Sequence, residues 1–435
     1  MQPVRLSEVD PETLKRIKQR AAGEFGKVSE QARAIMQEVR ERGDAALRDF
    51  TARFDGVQLE SLEVSREEIE QGLREASPEL VEAFKFAIDN IRKFHRTHVT
   101  AEEEHVETVP GVEVWRVWRS IERVGLYVPG GRAPLPSSLL MTAIPAEIAG
   151  CDEIIVCTPP NKEGKIHYSI LAAVAVLNLP NLRLFKVGGA HAIAAMAYGT
   201  ESIPKTYKIF GAGNPYVTAA KVLAFSEGMV SIDMPAGPSE VLIIADASAN
   251  PAYVAADFLS QAEHADDSSA VLLTTSPKLA IAVAAEVRRQ LPLLSTADRA
   301  SNSLEQYGMI GIVETIEQAI EFANDYAPEH LEVCTENVDE VLPKLRNAGT
   351  IFVGNFTPEP SGDYVSGLNH VLPTGANTKM FGPLSVESFG KKMQMQRMTA
   401  EGLANLRKAA EVMAAAEGLP AHGRAINIRF EDEQH

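Results

Sequence analysis

Through most of the first hundred positions, apolar residues recur at helical spacing. EQARAIMQEVRERGDAALRDF (30–50) and REEIEQGLREASPELVEAFKFAIDNIRKFH (66–95) each carry an apolar stripe backed by charge, and the pattern predicts helices across 1–100. Near 105 the period shortens to alternation. ETVPGVEVWRVWRSIERVGLYV (107–128) predicts strands. From there to about 355, short β-rich runs alternate with helical ones. EIIVCTPP, RLFKVGG, YKIFGAG, EVLIIAD, AVLLTT, GMIGIVE and TIFVGN read as strands. SILAAVAVLNL, AIAAMAYG, YVTAAKVLAFSEG, ANPAYVAADFLSQAEH and KLAIAVAAEVRRQL read as the helices between them. Such alternation implies parallel sheets covered by helices on both faces, and the series is long enough for two α/β layers. Pro and Gly interrupt it at MPAGPSE (234–240), a natural break. Residues 381–435 have helical texture but little apolar content for a core of their own. TAEGLANLRKAAEVMAAAEGLPAHGRA therefore reads as an arm that docks on another surface.

Composition narrows the class. The 435 residues are 45% hydrophobic and 23% charged, an ordinary globular balance at a length that suggests two or more domains. A net charge of −17 argues against nucleic acid and anionic membranes as partners. Cys151, Cys157 and Cys334 have no CxxC spacing, which fits a reducing compartment, and Cys157 and Cys334 sit in apolar runs as core thiols would. MQPVRLSEVD shows no signal peptide, and no run is long and apolar enough to span a bilayer. The expectation is a cytoplasmic protein without nucleic-acid or membrane partners.

Candidate chemistry is concentrated in a few places. Gln261 and His264, three apart in ADFLSQAEH, put an amide oxygen and an imidazole on one helical face. Asp363 in SGDYVSGLNH and His422 in EGLPAHGRA are isolated donors that can finish a metal shell. With one anionic member, that set would leave about one unit of net positive charge on a divalent ion, which suits substrate binding better than a structural zinc. Taken alone, either histidine is more often an ordinary core or loop residue. Glu329 and His330 stand side by side in APEHLE, in a loop marked by Pro328. Adjacent residues of an extended chain face opposite ways, so the pair predicts two separate bases rather than a hydrogen-bonded dyad. A solvated charged loop is the bland alternative. There is no complete GxGxxG. Three Gly-containing turns, VPGGRAPLPSS (128–138), KVGGAHAIAA (186–195) and IFGAGNPYVTAA (209–220), follow strand-like runs and precede helices. Each can offer backbone N–H groups to an anion, or simply allow a tight turn.

RVGLYVPGG, PSSLLMTAIPAEIAG, KVGGAHAIAAMAYGTE, KIFGAGNPYVTAAK, IDMPAGPSEVLIIAD, LSQAEH, APEHLE, SGDYVSGLNHVLPTG and AEGLPAHGRA together resemble the histidinol dehydrogenase family along nearly the whole chain. The resemblance implies two Rossmann-like parallel-sheet domains of aldehyde-dehydrogenase-like type, with a helical N-terminal segment (1–25) and a C-terminal dimerisation arm (381–435). Residues 26–128 with 238–380 would form the domain carrying the metal and catalytic residues, and 129–237 the NAD-binding domain. It implies an NAD-dependent enzyme with one Zn2+ per subunit, oxidising L-histidinol through L-histidinal to L-histidine. Carried over by motif, the metal ligands are Gln261, His264, Asp363 and His422, and the catalytic pair is Glu329 and His330. Ser239 and Glu417 join Gln261, His264, His330, Asp363 and His422 around the substrate, and Tyr127, His191 and Asn214 fall at cofactor positions. The family is a homodimer with exchanged C-terminal arms. Two departures stand out: His191 occupies a position commonly glutamine, and Ala212 replaces a proline in GAGN. Relatives acting on other small diols, such as a sulfopropanediol, are the alternative; Ser239 and Glu417 favour an amino alcohol.

The residues also suggest a division of labour. Alcohol oxidation needs a base near neutral pH, which His330 can supply. Oxidising the aldehyde needs an added nucleophile. No cysteine is well placed for that, so water activated by Glu329 is expected.

Overall fold

The computed structural model describes residues 1–20, 25–99, 104–130, 134–234 and 237–431. Its strands are, in chain order, β1 (Val4–Arg5), β2 (Val106–Val109), β3 (Val112–Ser120), β4 (Arg123–Tyr127), β5 (Glu153–Thr158), β6 (Leu182–Lys186), β7 (Lys208–Phe210), β8 (Ser231–Ile232), β9 (Glu240–Ala245), β10 (Ser269–Thr274), β11 (Gly308–Ile312), β12 (His330–Cys334), β13 (Thr350–Val353) and β14 (Gly390–Met398). The chain divides into two compact units. One comprises Met1–His98 and Ile121–Phe389; the other comprises Val99–Ser120 and Gly390–His435.

The first unit holds two parallel sheets. A five-stranded sheet runs in the order β6-β5-β4-β7-β8, and a six-stranded sheet in the order β1-β11-β10-β9-β12-β13. Every run read as a strand between 107 and 355 forms one. The strands EVLIIA and SAVLLT are buried along their whole length, as sheets covered on both faces require. Within β9, Val241 and Ile243 join the core under helices 251–262 and 277–290. Leu242 and Ile244 point the other way, into the core under helix 316–326. That is the two-residue period of a strand used on both faces.

The five-stranded sheet numbers 3-2-1-4-5 by chain order, the doubly wound dinucleotide-binding order lacking its sixth strand. Helices 136–149, 168–177, 189–198 and 215–226 lie between its strands. Residues of helices 25–42 and 44–54, among them Met36, Val39, Leu47 and Phe50, share its core with Ile155, Phe185 and Ile193.

The second unit contains an antiparallel sheet, β14-β3-β2, and helices 400–416 and 420–427. β14 pairs with β3 along its whole length, from Gly390 opposite Ser120 to Met398 opposite Val112.

Three readings of texture are corrected. HLEVC is not loop but strand β12, between β9 and β13, and burial on both faces removes the alternation that would have marked it. GKKMQMQRM, inside a stretch expected to be helical, is β14; its pairing partners lie 270 (Gly390 to Ser120) to 286 (Met398 to Val112) residues upstream, outside any local window. Val4–Arg5, in the helical N-terminal region, pairs with β11 as an edge strand. Among the described residues no helix is long and apolar enough to cross a membrane.

Candidate active site

Strands β9, β12 and β13 begin level with one another. His330 stands opposite Val241 on one side and Thr350 on the other. Ser239, Glu240, Glu329 and Gly349 therefore gather at the amino edge of the six-stranded sheet. Pro328 and Glu329 are tied down by backbone bonds, Gly349 N to Pro328 O (3.0 Å) and Thr350 N to Glu329 O (3.0 Å). A Cβ on Gly349 would lie 2.5 Å from the Glu329 carbonyl oxygen, so only glycine permits this approach.

Glu329 and His330 are both buried, at 5% and 3% exposure, which rules out a solvated loop. Glu329 Oε2 accepts a hydrogen bond from the Glu240 backbone N–H at 3.0 Å. His330 Nδ1 meets Gln261 Oε1 at 3.0 Å, whereas its distance to Glu329 Oε2 is 3.7 Å, too long for a hydrogen bond. An amide oxygen only accepts, so Nδ1 carries the proton and Nε2 the lone pair. That Nε2 is buried without a hydrogen-bond partner.

Around Nε2 stands a group of metal-ligand type. One ligand atom each of His264, Glu359 and Asp363 lie within 4.8 Å of one another. Glu359 Oε1 is 3.8 Å and Asp363 Oδ1 3.9 Å from His330 Nε2. The sequence delivers these groups through two helices. Helix 251–262, started by Pro251 and capped by the Asn250 side chain, ends with buried Gln261 and releases His264 just beyond its last turn. Helix 359–364 carries Glu359 and Asp363 one turn apart on one face. Glu359 was not among the expected ligands; its four-residue spacing from Asp363 in EPSGD was the available clue. Its Oε2 accepts from Ser260 Oγ (3.2 Å) and its N–H donates to Glu332 Oε1 (3.3 Å), while Oε1 is buried and unpartnered.

Of the remaining expected residues, Ser239 is half-buried and stands where it lowers the proton affinity of Glu329. Glu417 caps the C-terminal end of helix 400–416 and His422 lies in helix 420–427; both are exposed residues of the second unit.

Burial sets the proton affinities. His330 is pushed down to about 4 by desolvation, with Asp363 pulling upward and His264 and His370 pushing further down. It is neutral near pH 7 and able to accept a proton. Glu329 is held well above the ordinary carboxylate range by burial and by Asp363, against the lowering influence of Arg20 and Ser239. Cys334, at the end of β12, is buried and pushed up to about 12, as is Cys151; Cys157 is also raised by burial. No thiolate nucleophile is available among them.

A second locus lies where the strand order of the five-stranded sheet reverses, between β4 and β7, the usual place for a nucleotide in such sheets. Tyr127 ends β4 there, buried, its hydroxyl accepting from Gly189 N at 3.1 Å. Gly211 has φ +112°, and a Cβ on it would lie 2.2 Å from the Tyr127 carbonyl oxygen. Asn214 is exposed and caps helix 215–226, accepting from Tyr216 N (3.0 Å) and Val217 N (3.1 Å), which leaves its amide N–H2 for other partners. His191, in the first turn of helix 189–198, is buried with both ring nitrogens unpartnered. Residues 131–133 of the 128–138 turn lie outside the described residues.

Orphaned donors and acceptors at both loci match the groups the sequence implies. Buried, unpartnered Glu359 Oε1 beside His264 and Asp363 completes a nitrogen and oxygen donor set that a divalent ion accepts. Unpartnered His191 at a strand-order reversal fits a nucleotide.

Two parallel α/β layers, a strand-order reversal of the kind that seats nucleotides, and buried bases beside a metal-ligand cluster are the features of an enzyme of the dehydrogenase class. Residues 18–430 match the family model described as histidinol dehydrogenase. The chain is 50% identical over 400 residues to histidinol dehydrogenase of Bacteroides fragilis, covering 92% of each chain. It is 44% identical over 429 residues to that of Methanothermobacter thermautotrophicus, covering 99% of this chain and 100% of the relative. The crystal structure of histidinol dehydrogenase from Elizabethkingia anophelis superimposes with a TM-score of 0.94 at 42% identity, covering 100% of this chain and 99% of that one. The chain belongs to the histidinol dehydrogenase family, and it is an oxidoreductase.

Proposed function

We propose that the protein oxidises L-histidinol in two successive NAD-dependent steps, through L-histidinal to L-histidine. The observation that carries this reading is the placement of two buried, separately held bases, Glu329 and His330, against the His264, Glu359 and Asp363 cluster. Gln261, His264, Asp363 and His422 would hold one zinc ion, with Ser239 and Glu417 facing the substrate. Tyr127, His191 and Asn214 would face the NAD, in the domain assigned to 129–237. Bound NAD would supply the hydride acceptor, and bound zinc a Lewis-acidic anchor for the substrate.

The chain's own residues account for the proton chemistry. His330 is neutral, and its Nδ1 proton is fixed on Gln261, so Nε2 is free to take the hydroxyl proton as the first hydride leaves. The resulting aldehyde needs an added water before a second hydride can depart. With all three thiols buried in the core, Glu329 is the group left to activate that water, and its raised proton affinity makes it a strong base once ionised. The Glu240 N–H holds its carboxylate in place.

The exposed apolar side chains of the second unit, Val412, Met413, Leu419 and Ile428, support a homodimer in which this arm docks on another copy and brings His422 and Glu417 to a site. Three free, buried cysteines support a cytoplasmic setting. The test is stoichiometry: purified protein with limiting L-histidinol should reduce two NAD+ per substrate. One NAD+ per substrate with aldehyde released would reject the role given to Glu329, and no reduction would reject the substrate.

A further inference from the structure

Helix 11–19 ends in an unusual way. Its C-cap, Arg20, adopts φ +57°, a left-handed conformation that side chains with a Cβ disfavour, while its N–H still donates to Arg16 O at 2.9 Å. An arginine held there needs a compensating reason. The side chain runs into the interior, where Arg20 is 6% exposed. Its guanidinium lies 3.8 Å from the centre of the Tyr326 ring and donates to Tyr326 O at 2.6 Å and to Lys18 O at 3.0 Å. It also forms an ion pair with Glu240, which is fully buried. Glu240 in turn is fixed at its other oxygen, Oε1, by the Gly375 N–H at 2.9 Å. The backbone N–H of this same Glu240 donates to Glu329 Oε2. Tyr326, three residues before Glu329, is the last residue of helix 316–326, the helix that leads into β12. The guanidinium thus grips both chain segments that hold the Glu329 carboxylate: the start of β9 through Glu240, and the approach to β12 through Tyr326.

We propose that Arg20 is a positioning residue for Glu329: through Glu240 and Tyr326 it holds the carboxylate in the orientation from which water is activated during aldehyde oxidation. This rests on the reading of Glu329 given above. It also gives the N-terminal helix a part in the reaction, although no residue of that helix stands among the assigned site residues.

Removing Arg20 alone leaves Glu240 buried and unpaired, so Arg20→Met can fail to fold. The informative variant is Arg20→Met/Glu240→Gln, which removes both charges together, with Arg20→Lys as the conservative replacement. Each is assayed with L-histidinol and, separately, with L-histidinal as the starting substrate, beside the wild type, Glu329→Gln and the triple combination. The expected result is a loss in kcat of ten- to a hundredfold for histidinal oxidation, with KM within about twofold. Alcohol oxidation should fall much less, and Arg20→Lys should recover part of the loss. Because the charge-neutral pair acts through Glu329, adding it to Glu329→Gln should cause no further loss in kcat. Equal loss in both steps, or independent and multiplicative effects in the triple variant, would show an ordinary structural role and overturn the inference. So would a double variant with wild-type kcat where Glu329→Gln is impaired, and that result leaves the base assignment standing. If Glu329→Gln is itself unimpaired, the assignment fails and the inference fails with it.

Discussion

Replacing His191 by leucine should make the protein more stable and, at the same time, a poorer binder of NAD. The imidazole is 2% exposed, packed near Phe50 and Phe54 (ring centroids 5.7 and 5.9 Å), and neither nitrogen has a hydrogen-bond partner. Leaving a buried polar atom unsatisfied costs about 1–3 kcal/mol, and an apolar side chain of similar size avoids that cost. Charge adds a pH-dependent part. Burial pushes His191 down to about 3 from its ordinary 6.5, so the folded protein excludes a proton that the unfolded chain binds. For a group whose folded value is lowered, its contribution is complete above 6.5 and is lost as pH falls toward 3. Between pH 7.5 and 5 the loss is about 1.4 kcal/mol for each unit below 6.5, or roughly 2 kcal/mol. His191→Leu should therefore gain about 1–3 kcal/mol at pH 7.5 and about 2 kcal/mol more at pH 5, read from urea midpoints at the two values. NAD binding, measured by calorimetry without substrate, should weaken about tenfold, the equivalent of one lost hydrogen bond at ~1.4 kcal/mol. His191→Gln should keep the affinity. A leucine variant no more stable than the wild type, with the same loss between pH 7.5 and 5, would refute the reasoning about the orphaned ring; unchanged NAD affinity would remove His191 from the cofactor site.

Other expectations follow from the same geometry. Glu359→Gln should lower zinc affinity about ten- to a hundredfold, measured by competition with a chelating dye; unaltered affinity would show that the carboxylate only lines the cluster. Stripping the metal should abolish turnover while the far-ultraviolet circular dichroism stays close to that of the loaded protein, because the donors come from elements with cores of their own; unfolding on chelation would contradict this. Lys221→Met should destabilise the fold by about 3–5 kcal/mol, since it strips the partner from Asp233, almost wholly buried beside it; thermal and urea unfolding read the change. Iodoacetamide applied to the folded enzyme should leave histidinal oxidation intact, because all three thiols are buried with raised pKa; selective loss of that step would bring a cysteine back into the chemistry.

The chain's local chemistry determined a good deal. Alternation of strands and helices between 107 and 355 is written in side-chain period, and each of those runs forms its strand, because an element buried on both faces must be apolar throughout. Motifs such as LSQAEH and APEHLE marked which polar residues to watch, since no core or turn requirement explains them. Tertiary structure alone decided the relations between distant segments. That HLEVC is a central strand follows from pairing with β9 and β13, and that GKKMQMQRM is a strand follows from β3, far upstream. The Glu359 carboxylate beside His330, the Gln261 amide turned onto the imidazole, and Arg20 reaching Glu240 from the N-terminal helix all depend on where separate elements pack. Period and propensity act over a few residues, whereas the proton affinity of Glu329 or His330 is set by burial and by charges that lie far along the chain and come close only on folding.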